Sequence, residues 1–285
     1  MPGPDESRPL DGQAVLVTGG GKGIGRVFAQ CLAAAGAAVA VSGRSLDALK
    51  ETAGLIEAAG GRALAVAFDV ADREAVNSGV AEVERVFGRV DVLVNNAGLW
   101  GPIDNLWDCD PEQWWRTMEV HVGGAFYCSR AVIPGMIARG GGRIVNIVSH
   151  AGVHRWPTCS AYSVSKAGVI KLTENLAVEL NRKNVAVFAY HPGLLTIGLG
   201  EQAERMEAAP GSAADRAAAW IRSEFAAGRT VTAEQAASNL IVLASGKADG
   251  LSGRYLTVTD DLAGLELRKD EVQSGDLLTL RLRES

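Results

Sequence analysis

Tyr162 and Lys166 stand four residues apart in the stretch SAYSVSKAG, with Ser149 thirteen residues before the tyrosine. On a helix, positions i and i+4 lie one turn apart on the same face. A phenol and an ammonium held that way are electrostatically coupled, and the coupling favours the phenolate. A free tyrosine titrates near pH ~10, so one that moves protons at neutral pH needs such a neighbour. The pattern alone is weak, since a tyrosine early in a helix usually packs and a lone lysine usually points at water. Its weight comes from the elements around it.

The run QAVLVTGGGKGIGRVFAQCLAAAGAAVAVSGRS reads as strand, glycine turn, helix and second strand. Ala14 to Val17 form a short apolar run of buried-strand type. Thr18, Gly19, Gly23 and Gly25 give T-G-x-x-x-G-x-G, and Arg26 to Ala35 form a helix stopped by Gly36. Glycines permit the tight turn and let backbone N–H groups approach a pyrophosphate at the helix N-terminus. A glycine-rich loop of some other α/β protein is the plainer reading, but this one sits between a strand and a helix.

Farther along, strands are expected near 13–18, 38–42, 63–68, 90–95, 142–148, 185–191 and 254–258. Helices are expected near 24–35, 45–59, 72–87, 111–139, 160–181 and 231–245. Such alternation predicts an α/β fold with one doubly wound, parallel sheet of seven strands covered on both faces. Three pieces fall outside it. Residues 1–11 are a mobile lead, 194–230 a helical lid over the substrate, and 260–285 a tail beyond the main domain of 1–259. The tail carries LLTLRLR, a strand-like alternation that would be an aggregation liability if exposed. It is therefore expected to pack on its own domain or on a neighbouring subunit.

Composition sets bounds. The chain has 285 residues, 47% of them hydrophobic, enough for one large core. A net charge of -5 gives no electrostatic reason to expect nucleic acid or an anionic membrane as partner. No apolar run approaches the ~18 residues that span a bilayer, and no signal peptide precedes the first strand. Four cysteines without paired spacing fit free thiols in a reducing cytoplasm.

Together the motifs resemble the short-chain dehydrogenase/reductase family over most of the chain. TGGGKGIG at 18–25 is similar to its cofactor turn, NNAG at 95–98 to the segment after its fourth strand, and HPG at 191–193 to the segment along the nicotinamide. Asp69 in FDV stands where the family places a carboxylate near adenine, and YSVSK at 162–166 falls at the family's distance from Ser149. The resemblance implies a Rossmann fold and a nicotinamide cofactor. It implies cofactor contacts from Thr18, Gly19, Gly21, Lys22, Gly23, Ile24 and Gly25 in the turn, and from Asp69, Val70, Asn96, Ala97 and Gly98. Pro192, Gly193 and, weakly, Thr196 would follow, together with Tyr162 and Lys166. Tyr162 would exchange a proton with the substrate oxygen, Lys166 would lower the phenol's pKa and bind the ribose, and Ser149 would donate a hydrogen bond to the same oxygen.

At the end of the second strand, NAD-preferring relatives carry an acid that bonds the adenosine 2′-hydroxyl. Here Ser42, Gly43 and Arg44 stand instead. Arg44 and Lys22 can form charge-assisted bonds to a 2′-phosphate, so NADP(H) is expected over NAD(H). Two departures from the family pattern stand out. His121 replaces the usual asparagine that holds a water beside the lysine: as a neutral imidazole it can take over that role with altered geometry or be a satisfied buried ring, and it could titrate near neutral pH. Thr196 arrives one position early, with Ile197 where the threonine is expected.

Trp100, His150, His154, Trp156, Leu194 and Leu195 flank the motifs and are the candidate substrate contacts, together making a largely apolar pocket. His121, His150 and His154 lack a clear ligand set, and no metal is expected. The reading that results is an NADP(H)-dependent oxidoreductase interconverting a carbonyl and an alcohol on a small molecule. It is expected to be a homodimer or homotetramer joined through the long helices near 111–139 and 160–181. A nucleotide-binding sensor or scaffold, or a non-redox elimination or epimerisation at the same site, remain the alternatives.

Overall fold

A computed structural model describes residues 7–282. Its single sheet holds seven parallel strands in the order β3-β2-β1-β4-β5-β6-β7. These are β1 (Ala14–Thr18), β2 (Ala38–Gly43), β3 (Arg62–Ala67), β4 (Val92–Asn95), β5 (Gly142–Ile147), β6 (Val185–His191) and β7 (Tyr255–Thr257). The strands alternate their apolar side chains between two cores. Val15 and Val17 enter one and Leu16 the other; Val92 and Val94 enter the first and Leu93 the second. This period of two is what a sheet covered on both faces demands.

On the first face lie α1 (Gly23–Ala34), α2 (Leu46–Ala58) and α9 (Ala233–Ser245), bringing Phe28, Leu32, Leu49, Ile56, Leu240 and Leu243. On the second lie α3 (Arg73–Phe87), α5 (Gly124–Ala138) and α6 (Ser160–Leu180), with Val76, Val80, Val132 and Leu180. The chain runs outward from β1 through β2 to β3, then returns to the other side of β1 as β4. Thr18 pairs with Ser42 and Val17 with Val94, so a crevice opens beyond the carboxyl ends of β1 and β4.

Three expectations are revised. The helix expected over 111–139 is interrupted: α4 (Pro111–Met118) and α5 are joined by a π-helical turn, Glu119–Gly123, that carries His121. The lead expected to be mobile over 1–11 is fixed at its inner end. Leu10 is buried, its N–H donates to the Ala35 carbonyl at 2.9 Å, and Arg8 pairs with Asp11. Residues 1–6 lie outside the described residues.

The tail forms α10 (Leu262–Leu267) and α11 (Lys269–Ser274), with Leu262 and Val272 buried in the first core. Over its described residues, 277–282, LLTLRLR is no strand: Asp276 just before it and Leu278 within it take positive φ (48° and 59°) and break any extended path. The Leu278 carbonyl instead accepts the Tyr255 N–H at 2.7 Å, covering a donor of the edge strand β7. Beyond it, the Leu280 N–H and the Arg281 guanidinium both bond the buried carboxylate of Glu174 on α6.

Candidate active site

A cleft of about 670 Å³ lies at the crevice and is walled by the glycine turn, the ends of β2, β4, β5 and β6, and the segment after His191. Its first wall is almost all backbone. Gly19 has φ +67°, and a Cβ there would stand 2.9 Å from Ala97 Cα; one on Gly25 would overlap the Gly19 carbonyl. The turn is therefore pressed against the NNAG segment with no space for side chains.

Helix α1 begins at Lys22 with no side-chain cap and no acidic residue in its first turn. By contrast α2, α3, α4, α8 (Ala213–Ala226) and α9 are capped by Ser45, Asp72, Asp110, Ser212 and Thr232. The uncapped N–H groups of α1 open on the cleft, where a pyrophosphate satisfies donors and dipole alike. These residues fit a dinucleotide.

Nearly all of the expected cofactor residues meet on this cleft: Gly19, Gly21 to Gly25, Arg44, Asp69, Val70, Asn96 to Gly98, Tyr162, Lys166, Pro192 and Gly193. Two do not. Thr18 is buried behind the turn, and its hydroxyl accepts the N–H groups of Asn96 (2.9 Å) and Ala97 (3.0 Å), knitting β1 to β4. Thr196 is exposed and off the cleft, while Ile197 lines it. Asn96 is also tied inward, its amide donating to the Thr18 carbonyl at 2.8 Å. Asp69 accepts from the Ala71 N–H at 3.0 Å and pairs with Arg116, a cleft residue the sequence reading did not single out.

The reacting groups stand where the two walls join. Ser149 ends β5 and caps a short 3-10 turn, its Oγ accepting the Ala151 N–H at 3.2 Å. It also hydrogen-bonds Tyr162, on the first turn of α6. Lys166 lies one turn along the same helix face, 5.6 Å from the tyrosine ring centroid. Its Nζ donates to the Ile147 carbonyl at 2.9 Å.

The expected lowering of the phenol is not what this packing produces. Burial pushes Tyr162 up to about 12, with the Ser149 hydrogen bond pulling weakly the other way. Burial also brings Lys166 down to about 8. Desolvation outweighs the one-turn spacing because the lysine is aimed at a carbonyl and not at the phenol oxygen. At neutral pH Tyr162 is thus a protonated phenol, poised to give a proton.

For His121 the structure supports the satisfied buried ring and not the titrating one. The imidazole is buried behind the cleft, with Nε2 accepting the Leu99 N–H at 3.0 Å and Nδ1 against Ser165 Oγ at 2.7 Å. Ser165 Oγ donates in turn to the Tyr162 carbonyl at 2.8 Å. With the Leu99 N–H on one nitrogen and a committed hydroxyl on the other, the ring is the neutral Nδ1–H tautomer. Burial, then the charge of Lys166, hold its pKa well below the ordinary value, so it does not titrate near neutral pH. His121 braces the segment after NNAG against the turn that carries Tyr162.

The second wall is made of large side chains. Trp100, Trp156, His150, Leu194 and Leu195 line it as expected, whereas His154 stacks on the outer face of His150 and lies off the cleft. Sequence reasoning missed Leu199 of α7 (Leu199–Glu204), and Trp220 and Glu224 of α8 (Ala213–Ala226), with Arg229 beyond them. Trp220 could have been found as the lone tryptophan in the alanine-rich run AADRAAAWIRSEF. Among the described residues no cluster of His, Cys, Asp and Glu could hold a metal.

With the crevice, the uncapped glycine turn and the Ser–Tyr–Lys group in place, comparison with known proteins is informative. The family model described as short chain dehydrogenase matches residues 13–208. The chain is 37% identical to the short chain dehydrogenase mpl6 of Monascus purpureus, over 95% of this chain and 89% of that one. It is 36% identical to the 2-dehydro-3-deoxy-L-rhamnonate dehydrogenase (NAD(+)) of a Sphingomonas species, over 82% and 88%. It is 31% identical to 2-(S)-hydroxypropyl-CoM dehydrogenase 3 of Xanthobacter autotrophicus, over 91% and all of the relative. The chain belongs to the short-chain dehydrogenase/reductase family. It is accordingly an oxidoreductase for carbonyl and alcohol groups of small molecules, using a nicotinamide dinucleotide. No helix among the described residues is long and apolar enough to cross a membrane.

Proposed function

We propose that the protein reduces the carbonyl of a small, largely apolar substrate with NADP(H), with Tyr162 as the acid. The observation that carries the reading is one continuous cleft bearing the uncapped glycine turn at one end and Ser149, Tyr162 and Lys166 at the other. When bound, the nicotinamide supplies the hydride. The remaining steps belong to the chain. The Ser149 hydroxyl donates to the substrate oxygen as its negative charge grows. The phenol of Tyr162, held protonated by burial, passes its proton to that oxygen, since an alkoxide is the stronger base. Lys166, protonated in most molecules at pH 7, steadies the phenolate left behind and is placed to bind the ribose. In the oxidative direction the same groups act in reverse.

The preference for NADP(H) is supported by Gly43, which offers no carboxylate, and by the exposed cations Lys22 and Arg44 on the same part of the cleft. The helices α7 and α8 act as the substrate lid in this reading. A homodimer or homotetramer through α4 to α6 is supported by Trp115, Phe126, Val164 and Val178, 47–73% exposed on those helices. A cytoplasmic setting fits the four free cysteines. The intact trio weighs against a scaffold without turnover.

The test is calorimetric binding of NADPH and NADH to wild type and to Arg44→Ala. The expected result is tighter NADPH binding in wild type, weakened about 10–100-fold by the substitution, with NADH unchanged. Equal binding of both, indifferent to Arg44, would overturn the cofactor preference. Binding of neither would overturn the enzyme reading.

A further inference from the structure

We propose that the substrate is an aryl ketone, and the product its benzylic alcohol: an uncharged planar ring carried on or beside the carbonyl carbon. This rests on the carbonyl–alcohol reading above and goes beyond it by naming the substrate class.

The observation is an aromatic slot at the reacting end of the cleft. Trp100 lies over Tyr162 with ring centroids 5.0 Å apart and planes tilted by 33°. Trp156 stands edge-on to both, 5.5 Å from Trp100 at 87° and 6.2 Å from Tyr162 at 85°. Trp220 meets Trp156 from the lid side at 5.5 Å and 69°. All four rings border the cleft. An aromatic guest completes such a set by meeting one face and one edge at once, the arrangement that ring quadrupoles favour. An aliphatic guest of the same size gains only the burial.

The slot is also fixed in place. The Trp100 indole N–H donates to the Leu199 carbonyl at 2.9 Å, so its polar edge is used and its π-face is what the ligand meets. Trp220, by contrast, is 47% exposed, apolar surface that a bound ring would cover.

Charge decides between an aryl group and the other usual guest of an aromatic cage, an organic cation. The carboxylate at the lip, Glu224, is engaged through both oxygens by Arg229, each at 2.7 Å. Lys166, at the reacting end of the same cleft, repels a cation. The slot therefore offers π-surface without the negative potential a cation requires.

The distances set where the ring must be attached. Because Trp100 rests on the ring of the proton donor, a ring in the slot lies next to a carbonyl oxygen bonded by Tyr162 and Ser149. The carbonyl carbon takes a hydride, with its two electrons, from the reduced dinucleotide, and the oxygen takes the Tyr162 proton. The products are the benzylic alcohol, the oxidised dinucleotide and a phenolate that solvent reprotonates.

The experiment is calorimetric titration of the full chain, saturated with oxidised dinucleotide, with 1-phenylethanol and 1-cyclohexylethanol, which differ only in the ring. Wild type, Trp156→Leu and Trp220→Leu are compared, and turnover of both alcohols is measured beside binding. Wild type is expected to bind the aryl alcohol about tenfold more tightly. Trp156→Leu is expected to bring the two within about twofold. Trp220→Leu, at a half-exposed site where folding is not at stake, is expected to lose part of the preference.

Equal binding of the two alcohols to wild type, or a preference that survives both substitutions, overturns the proposal. Tighter binding of phenyltrimethylammonium than of 1-phenylethanol overturns it in favour of a cation site. Equal binding with equal turnover rejects the aryl slot and keeps the carbonyl–alcohol reading. An aryl preference in binding, with no turnover of either alcohol, keeps the slot and rejects that reading.

Discussion

The two walls of the cleft are made in opposite ways. The dinucleotide wall consists of glycines and backbone at the ends of regular strands, pressed so close that a methyl group at Gly25 has no place to go. The substrate wall consists of indoles and aliphatic side chains from the segments after β4, β5 and β6 and from the helices α7 and α8, and one of its members, Trp220, is half in solvent. The first wall is defined by what must be absent, the second by what happens to be present. A fold arranged like this can exchange substrates by changing large side chains on one side while the nucleotide site stays fixed. Relatives named for substrates as different as a sugar acid and a coenzyme M conjugate agree with that division.

The largest effect belongs to the point where the walls meet. Tyr162→Phe removes the one hydroxyl that is protonated, buried and bonded to Ser149. Turnover is expected to fall by about 10²–10⁴-fold, the usual worth of a positioned acid. Calorimetric affinity for the dinucleotide is expected to stay within about twofold. A comparable loss of nucleotide affinity would mean that the tyrosine belongs to the first wall and that the division is misdrawn.

Next comes the first wall itself. Gly25→Ala forces a Cβ into the Gly19 carbonyl and against the Asn96 amide, both part of the joint between β1 and β4. Overpacking of this kind costs about 1–3 kcal/mol, visible in urea unfolding. Because the displaced carbonyl belongs to the phosphate turn, nucleotide affinity is expected to fall at least about tenfold with it. A variant that unfolds at the wild-type midpoint and binds normally would show the wall to be softer than its spacing implies.

The same contrast explains what could be read from the sequence. All seven strands were legible because short β-branched runs alternate regularly with helices, and the glycine turn announced itself by residues that only a close approach requires. The π-helical turn at Glu119–Gly123 was not legible, since the apolar pattern continues smoothly through it. Thr18 looked like a ligand-facing residue because its motif lies at the site. Its partners, Asn96 and Ala97, lie just past the end of β4, and that pairing is tertiary. The i, i+4 spacing of Tyr162 and Lys166 gave their helix face correctly, but not the burial that reverses the expected shift of the phenol. Trp220 stands 58 positions after Tyr162, and no local pattern says that α8 brings it back to Trp156.

The smallest effect tests the seam between the walls, where His121 is buried and His191 half-buried at the cleft, both as neutral rings. Burial is the first cause in each case; His191 is lowered further by His150 and reaches about 3, despite a hydrogen bond to Val148. In the unfolded chain both titrate near ~6.5. Between that pH and the folded value, the unfolded state binds protons that the folded state refuses. Stability is therefore fully present above about pH 6.5 and falls as the pH drops toward the folded pKa. For His191, held at about 3, the loss is roughly 2 kcal/mol by pH 5, and His121 adds to it in the same direction; both are measurable as urea midpoints from pH 8 to pH 5. His121→Leu separates this from packing. At pH 8 it is expected to be less stable by about 1–3 kcal/mol, because the Leu99 N–H and Ser165 lose their partner. Its acid slope is expected to be shallower, because one titrating ring is gone. A slope equal to that of wild type would mean that His121 takes up protons in the folded protein. In that case the brace between the NNAG segment and Tyr162 would open in acid, and the seam would not be the rigid joint between the walls.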